Sequence, residues 1–308
     1  MFLRPLHIIP PDTKIDFVAK RWWAFSVTII LVLITVIALC VKGLNLGIDF
    51  KGGILIDARS AQAIDMGALR EELGKLNLGE VELQQFGGPN EVLVRMQKQE
   101  GADQAQMKAI EIVRATMGDT YDYRSIQVVG PTVGKELLHA GILATILAML
   151  AISLYVGLRF EWQFGLAALI ATFHDVLTTV GLYAVLQLDF NLTAVAALLT
   201  LAGYSINDTV VVFDRIRETL RRQKATDLRV IINDSVNQTL SRTTMTAGTT
   251  LLALLPLVFM GGPTLINFSA ALTWGILVGT YSSIYVAAAL LLYMPPLRRM
   301  EAAPTPKA

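Results

Sequence analysis

The chain has 308 residues, of which 54% are hydrophobic and 17% charged, and its mean hydropathy is +0.53. This composition excludes an ordinary soluble protein, because the apolar residues are grouped in runs long enough to cross a bilayer. The formal net charge of +1 gives no bias toward nucleic acid, and the single cysteine, Cys40, excludes an internal disulfide. We therefore expect a membrane protein that does not bind nucleic acid.

The first 21 residues are polar and basic, and an uncharged apolar run over 22–41 follows them. The run begins with Trp22 and Trp23, an arrangement typical of aromatic anchors at a membrane interface. It is too long for the apolar core of a cleavable signal peptide, so we expect a retained first transmembrane helix. We assign 1–21 to a cytoplasmic N-terminal segment.

Residues 42–134 have the composition of a soluble domain and mix strand and helix signals. Alternating apolar residues and turn signals predict four strands, and two amphipathic segments, opened by Asp65 and Asp103, predict helices. The predicted elements are a strand over 47–59 with a glycine break, a helix over 65–77, strands over 81–86 and 91–97, a helix over 103–117 and a strand over 121–129. This β-α-β-β-α-β order is that of ferredoxin-like α+β domains.

Residues 135–294 predict a second membrane region of five helices. A basic segment, 214–243, interrupts it, and the apolar spacing over 228–240 predicts a short amphipathic helix at the membrane interface. The tail, 295–308, is rich in proline and alanine. The five predicted spans are 137–158, 164–186, 192–213, 245–260 and 266–294.

Lysine and arginine residues set the expected orientation. The N-terminal segment, the loop at Arg159, the 214–243 loop and the tail are basic, whereas the links 187–191 and 261–265 carry neither residue. Because basic segments stay on the cytoplasmic side, six spans place both termini inside and 42–134 outside. The predicted fold class is a polytopic α-helical membrane protein of six transmembrane helices, with a ferredoxin-like α+β periplasmic domain between the first and second.

Asp208 lies inside the apolar part of the fourth predicted span. A carboxylate at a helix centre costs roughly 2.5–3.5 kcal/mol on insertion scales, so such residues usually face other protein or a water-filled cavity. Tyr204, Ser205 and Asn207 accompany it and indicate a polar face toward other helices. The pattern favours a functional role for Asp208, and a structural hydrogen bond to a neighbouring helix is the alternative.

Three further ionisable residues lie in or beside the predicted spans. His174 and Asp175 fall near the middle of the third span, where they fit either a proton relay or a buried polar cluster that fixes helix packing. Arg242 lies where the basic loop enters the fifth span, and it either has a function or sets the topology. We name Asp208, Arg242, His174 and Asp175 as the candidate proton relay.

The sequence has no recognisable pattern for covalent catalysis, nucleotide binding or metal binding. The segment 47–53 lacks the spacing of a phosphate-binding loop, and three scattered histidines with one cysteine form no metal-ligand pattern. We therefore expect neither an enzyme nor a bound cofactor or metal.

Five sequence motifs follow one another in order along the chain. They are GIDFKGG after the first span, VVGPTVGKEL before the second, FHD in the third, GYSINDTVVVFDRIRE in the fourth and SVNQTLSRTTMTAGTTLLALLPLVFMGG before and within the fifth. Together they resemble the SecF family, the smaller membrane subunits of the bacterial SecDF protein-export complex in the resistance-nodulation-division superfamily. The resemblance covers nearly the whole chain.

The resemblance implies a place in the bacterial cytoplasmic (inner) membrane and pairing with SecD, which supplies a related second half. It also implies use of the proton-motive force to help unfolded preproteins finish crossing after the SecA ATPase and the SecYEG channel have started them. Asp208 and Arg242 match the residues tied to proton movement in that family. YajC and YidC are further candidate partners, and membrane lipid is the expected surroundings.

Two other classes of function stay open. The chain could be a subunit of a proton-coupled small-molecule transporter, although nothing between the short links marks an organic substrate site. It could also be a scaffold that stabilises a translocon, with an Asp208 that never changes its protonation state.

Overall fold

A computed structural model describes residues 10, 13–79, 81–85, 88–99, 101, 103–118, 120–223, 226–261 and 263–295. The described part consists of a small α/β domain and a bundle of long helices. The predicted N-terminal segment is therefore described only in part, and the predicted tail beyond Pro295 lies outside the described residues.

The chain enters the small domain through helix α1 (Arg21–Val41) and a single helical turn, α2 (Ile48–Lys51). The prediction of a strand over 47–59 is therefore wrong in its first half. Gly52 and Gly53 follow the turn with φ values of 76° and 137°. Glycine adopts such values without steric cost, and the two residues redirect the chain from the helical turn into the first strand.

The rest of the domain has its six elements in the predicted order. Its four strands form one antiparallel sheet in the order β2-β3-β1-β4. The elements are β1 (Gly53–Ser60), α3 (Met66–Gly74), β2 (Val81–Gln85), β3 (Glu91–Met96), α4 (Asp103–Met117) and β4 (Tyr121–Val129).

Helices α3 and α4 cover the same face of this sheet. Alternate residues of β1, including Ile54 and Ile56, are fully buried there beside Leu73 of α3 and Val113 of α4. The predicted cap of α3 is confirmed, because the Asp65 side chain accepts hydrogen bonds from two backbone N–H groups of the first turn. The other face of the sheet is turned away from the domain's own helices.

Six helices in the described part of the chain are long and apolar enough to cross a membrane. They pack against one another as a bundle, and the small domain is inserted between the first and second of them. The six are α1, α5 (Pro131–Arg159), α6 (Trp162–Leu186), α7 (Leu192–Arg222), α8 (Leu228–Met260) and α9 (Pro263–Ser282), the last of which continues through a π-helical turn (Ser283–Ala287) and short helical turns to Tyr293.

The segment 214–243, predicted as a loop, is helical over 214–222 and 228–243. Helix α7 runs on beyond the predicted span, and α8 runs without a break through the predicted amphipathic helix into the fifth span. Ile231 and Val236 of α8 are buried with Ile216 of α7. The apolar spacing therefore reflects packing within a helical hairpin rather than a helix lying against lipid.

Candidate functional site

A polar layer crosses the helix bundle between two apolar clusters. Along α6 the first cluster ends at Ala171 and the second begins at Val176, and along α7 the second cluster ends at Ala202 and the first resumes at Val212. The same change occurs along α8 and the last helix. The buried polar residues between the clusters are His174, Asp175, Ser205, Asp208, Thr209, Thr243, Ser282 and Ser283. At this depth in a bilayer, polar groups must find their partners within the protein.

Asp175 connects three helices through its carboxylate. It is fully buried, and its Oδ2 accepts hydrogen bonds from Ser205 Oγ of α7 at 2.5 Å and from Ser282 Oγ at 2.7 Å. Its Oδ1 lies 3.0 Å from Nδ1 of His174. Since a carboxylate can only accept, His174 donates through Nδ1. Asp175 thus binds α6 to α7 and to the end of α9.

His174 is the end of this hydrogen-bonded chain. Its Nε2 is buried and has no hydrogen-bond partner among the described residues. A relay through the imidazole would need a second contact at Nε2. The structure therefore brings His174 and Asp175 together, as the sequence suggested, in the geometry of a packing cluster.

Asp208 has an environment opposite to that of Asp175. It lies one turn beyond Ser205 on α7 and is 4% exposed, and its Oδ2 is buried without a hydrogen-bond partner among the described residues. The next residue, Thr209, is hydrogen-bonded to Ser283 at 2.8 Å, so the helix around Asp208 is held in place. The layer therefore contains one carboxylate with its acceptors occupied and one with a free oxygen.

Arg242 lies on α8, which packs against α7, but it does not contact Asp208. The Arg242 side chain is exposed, and no salt bridge joins it to Asp208 in the described part of the chain. The two groups interact through their charges alone. The neighbouring Thr243 hydroxyl is buried and also lacks a partner among the described residues.

The three polar residues that were predicted to share one face of the fourth span point in different directions. Ser205 faces inward and contacts Asp175. Tyr204 is half-buried, and its hydroxyl lies 3.4 Å from Thr250 of α8. Asn207 is exposed on the outside of the bundle. The prediction of one polar face toward other helices is therefore replaced by an inner and an outer polar surface.

The outer polar surface continues from α7 onto α8. Its members are exposed and small or polar, and Met245 is the one large apolar side chain exposed between Arg242 and Thr249. The exposed parts of α1 and α5 instead carry many large apolar side chains, such as Ile37 and Leu154. A surface of this kind is typical of contacts between transmembrane helices rather than of contact with lipid. We call it the α7–α8 surface, and it consists of Thr200, Gly203, Asn207, Arg242 and Thr249.

Two site residues, Ser282 and Ser283, escaped the sequence analysis. Neighbouring residues of an α-helix point about 100° apart, yet these two bind Asp175 and Thr209 respectively. A π-helical turn begins at Ser283, and such turns are frequent at functional sites. The available signal was a pair of serines inside an apolar run, which by itself is common in membrane helices.

No group of three or more acidic, histidine or cysteine side chains in the described part of the chain could hold a metal ion. The layer's chemistry is therefore that of hydrogen bonds and of two aspartates in different surroundings.

Comparison with known proteins identifies the family. The family described as "Protein export membrane protein SecD/SecF, C-terminal" matches residues 109–296, and the one described as "SecD/SecF GG Motif" matches 37–64. A protein translocase subunit SecF from Rickettsia felis is 43% identical over 94% of this chain and 95% of its own length. The SecF subunit from Rhodobacter capsulatus is 44% identical over 94% of this chain and 91% of its own.

The chain belongs to the SecF family. It is a multi-pass membrane protein and a SecF-like subunit for protein translocation, so the resemblance drawn from the motifs is confirmed.

Two solved structures of SecDF share the fold. The crystal structure of SecDF from Thermus thermophilus is 36% identical, with a TM-score of 0.83 over 93% of this chain. A SecDF structure in a "Super-membrane-facing form" is 35% identical, with a TM-score of 0.69 over 94% of this chain. This chain spans 39% and 40% of those two SecDF chains.

Proposed function

We propose that the chain pairs with SecD in a complex that uses the proton-motive force to help preproteins cross the cytoplasmic membrane. The observation that carries this proposal is Asp208, a buried carboxylate whose Oδ2 has no hydrogen-bond partner among the described residues, within electrostatic reach of the exposed Arg242. SecA and SecYEG would act before this complex, YajC and YidC are further candidate partners, and the cargo would be an unfolded preprotein. No covalent step is involved, so the subunit is not an enzyme.

Asp208 is the group that changes its protonation state in this proposal. Arginine keeps its proton under all ordinary conditions, so Arg242 acts as a fixed positive charge. A guanidinium that approaches the carboxylate favours its charged form, and one that withdraws favours proton uptake. Movement of α8 relative to α7 would therefore load or release a proton, and protonation would in turn change the relative position of the helices.

Asp175 and His174 have a positioning role in this proposal. The two serine contacts fix α7 and the last helix to α6. Ser205 lies one turn from Asp208, so these contacts also fix the part of α7 that carries the titrating group. Only the Tyr204–Thr250 contact links this part of α7 to α8 by hydrogen bonding among the described side chains. At the level of Asp208, α8 is therefore held to α7 less firmly than α6 is.

The SecD half would cover the α7–α8 surface. Exposed polar residues such as Asn207 and Arg242 are costly in lipid, and small residues such as Gly203 allow a second helix to approach closely. SecD in this position would border the space beside Asp208. The proton site would then be completed at the boundary between the two subunits.

The four-stranded domain would be a ferredoxin-like domain on the periplasmic side of the inner membrane. The sheet order β2-β3-β1-β4 and the chain order support this fold. The lysine and arginine bias of the inner segments supports the orientation, with both termini in the cytoplasm.

The test is preprotein transport into membrane vesicles with and without a proton gradient. Asp208→Asn keeps the shape of the side chain but removes titration, so the complex should assemble and lose its response to the gradient. Asp208→Glu should keep part of the response, and Arg242→Lys should be intermediate because it keeps the charge without the planar fork. Asp214→Asn is the matched control, since it removes an exposed carboxylate from the same helix.

An Asp208→Asn complex that responds to the gradient like wild type would overturn the proposal. The scaffold with a non-titrating Asp208 would then be the better account.

A further inference from the structure

One charged contact ties the small domain to the link between α6 and α7. Arg95 of β3 binds the Asp189 carboxylate at both oxygens, with Nη2–Oδ2 at 2.6 Å and Nη1–Oδ1 at 3.2 Å. The side chains are only 17% and 12% exposed. Asn45, in the segment that leads from α1 to the domain, donates to the same Oδ1 at 2.9 Å. Asp189 thus receives contacts from the domain and from its entry segment.

The backbone around Asp189 is fixed to the entry segment. The N–H of Gly47 donates to the carbonyl of Phe190, and the N–H of Phe190 donates to the carbonyl of Asn45, both at 2.8 Å. The N–H of Leu192, at the start of α7, donates to Oδ2 of Asp49 at 2.9 Å. The link that carries Asp189 is therefore a firm support rather than a loose loop.

The sheet does not pack tightly on this support. A cavity of ≈ 190 Å³ lies between the face opposite α3 and α4 and the helix link. Residues of three strands line it, including Leu55, Asp57 and Gln127. Because apolar packing is sparse here, the Arg95–Asp189 ion pair is the main specific contact between the face of the sheet and the link.

Arg95 also has a second acidic partner within its own domain. Glu82 of β2 lies 3.4 Å from Arg95 Nη1 and is more than half exposed. Burial acts to lower the pKa of Arg95, but the hydrogen bonds and charge of Asp189, with those of Glu82, raise the pKa overall. If the domain moved away from the link, Arg95 would keep one carboxylate and gain water, so separation would leave no buried unpaired charge.

We infer that the Arg95–Asp189 pair is a latch that holds the sheet against the α6–α7 link and opens when the domain swings away. The link joins the helix that carries Asp175 directly to the helix that carries Asp208. Opening the latch would therefore release the sheet from the outer ends of these two helices, while the bonds between the link and the entry segment stay in place. The opening step adds a movement of the small domain to the transport cycle of the proposed function and so rests on that function, whereas the holding role of the pair does not.

The experiment measures the distance between the domain and the bundle in the intact complex with SecD in nanodiscs. Spin labels replace Lys108 on α4 and Met260 at the end of α8, both exposed, in a Cys40→Ala background. Double electron–electron resonance then gives the distribution of distances between the two spin labels. Wild type should give one narrow distribution.

Asp189→Asn and Arg95→Gln should each broaden the distribution and add a longer distance. Glu82→Gln is the matched control, because it removes the exposed partner of Arg95 and leaves the latch intact, so its distribution should match wild type. A distribution for Asp189→Asn that superimposes on that of wild type would overturn the latch. Equal recovery of SecD with every variant excludes a folding defect as the cause.

Transport by the same variants separates the latch from the proton site. Asp189→Asn should lower the rate of gradient-driven transport, because the domain loses its fixed starting position. If Asp189→Asn broadens the distance distribution but leaves transport unchanged, the latch has no part in transport, and the proposed role of Asp208 is not affected. A failed Asp208→Asn test would leave the distance measurement valid.

Discussion

Removing the Asp175 carboxylate should loosen the helix bundle by an amount that the geometry sets. Asp175→Ala deletes the acceptor for Ser205 and Ser282, which lie on two other helices. Hydrogen bonds between transmembrane helices contribute about 0.6 kcal/mol on average and up to about 1.7 kcal/mol. Two such bonds give a loss of about 1.2–3.4 kcal/mol in the free energy of unfolding.

Asp175→Asn should cost less, because both serines donate to Oδ2 and an amide oxygen in that position can still accept from both, so that only the contact with His174 changes. Thr179→Ala is the matched control on the same helix. Among the described residues the Thr179 hydroxyl bonds only to the Asp175 backbone carbonyl within α6, so its loss breaks no hydrogen bond between helices. The expected order of destabilisation is therefore Asp175→Ala, then Asp175→Asn, then Thr179→Ala.

The assay is unfolding of the purified protein by transfer from mild detergent into sodium dodecyl sulfate, followed by tryptophan fluorescence. If Asp175→Ala unfolds at the same midpoint as Thr179→Ala, the carboxylate does not stabilise the packing of the three helices. Transport supplies the second readout. Asp175→Asn should still respond to the proton gradient, and loss of that response would restore the relay role for Asp175.

Two further predictions concern the small domain and the orientation. Burial raises the pKa of Asp57 above its ordinary value, so the domain loses stability as the pH rises through the raised pKa. Asp57→Asn removes this loss, and hydrogen exchange in β1 should be slower than in wild type at about pH 7 and equal at about pH 3; equal rates at both pH values would contradict it. In intact spheroplasts lacking Cys40, an impermeant maleimide should label a cysteine at position 108 and reach one at position 222 only after lysis. Labelling at position 222 before lysis would refute the orientation.

Local patterns were sufficient to predict most of the architecture and to single out the two residues on which the proposed function depends. Runs of apolar residues predicted the six spans, and period-two alternation with turn residues predicted the order of the small domain. Asp208 could be singled out because a carboxylate in an apolar run carries its own energetic signal. For Arg242 the sequence left two interpretations open, a functional residue or a topology signal, because the choice depends on what α8 packs against.

What the sequence could not give depends on contacts between distant parts of the chain. The charged residues of 214–243 hid two helical extensions, whose buried face is visible only once α7 and α8 are paired. The surroundings of Asp175 and Asp208 differ because Ser205 and Ser282 donate to Asp175 alone, and the serines carry no signal of their own. Arg95 and Asp189 are 94 residues apart in the chain, and neither stands out locally.

The π-helical turn also determines how the two halves of the last helix are rotated relative to each other about the helix axis. Such a turn amounts to one residue inserted into an α-helix, in which each residue advances by about 100°. Before the turn, Gly275 and Gly279 lie against Leu201 and Ser205 of α7, whereas Ala288, directly after it, joins the apolar cluster at the opposite end of the bundle. Loss of a single residue from the turn would rotate one half of the helix against the other by about 100° and separate these two registers. Chain length at this point therefore constrains the bundle more strongly than the identity of any side chain in the turn.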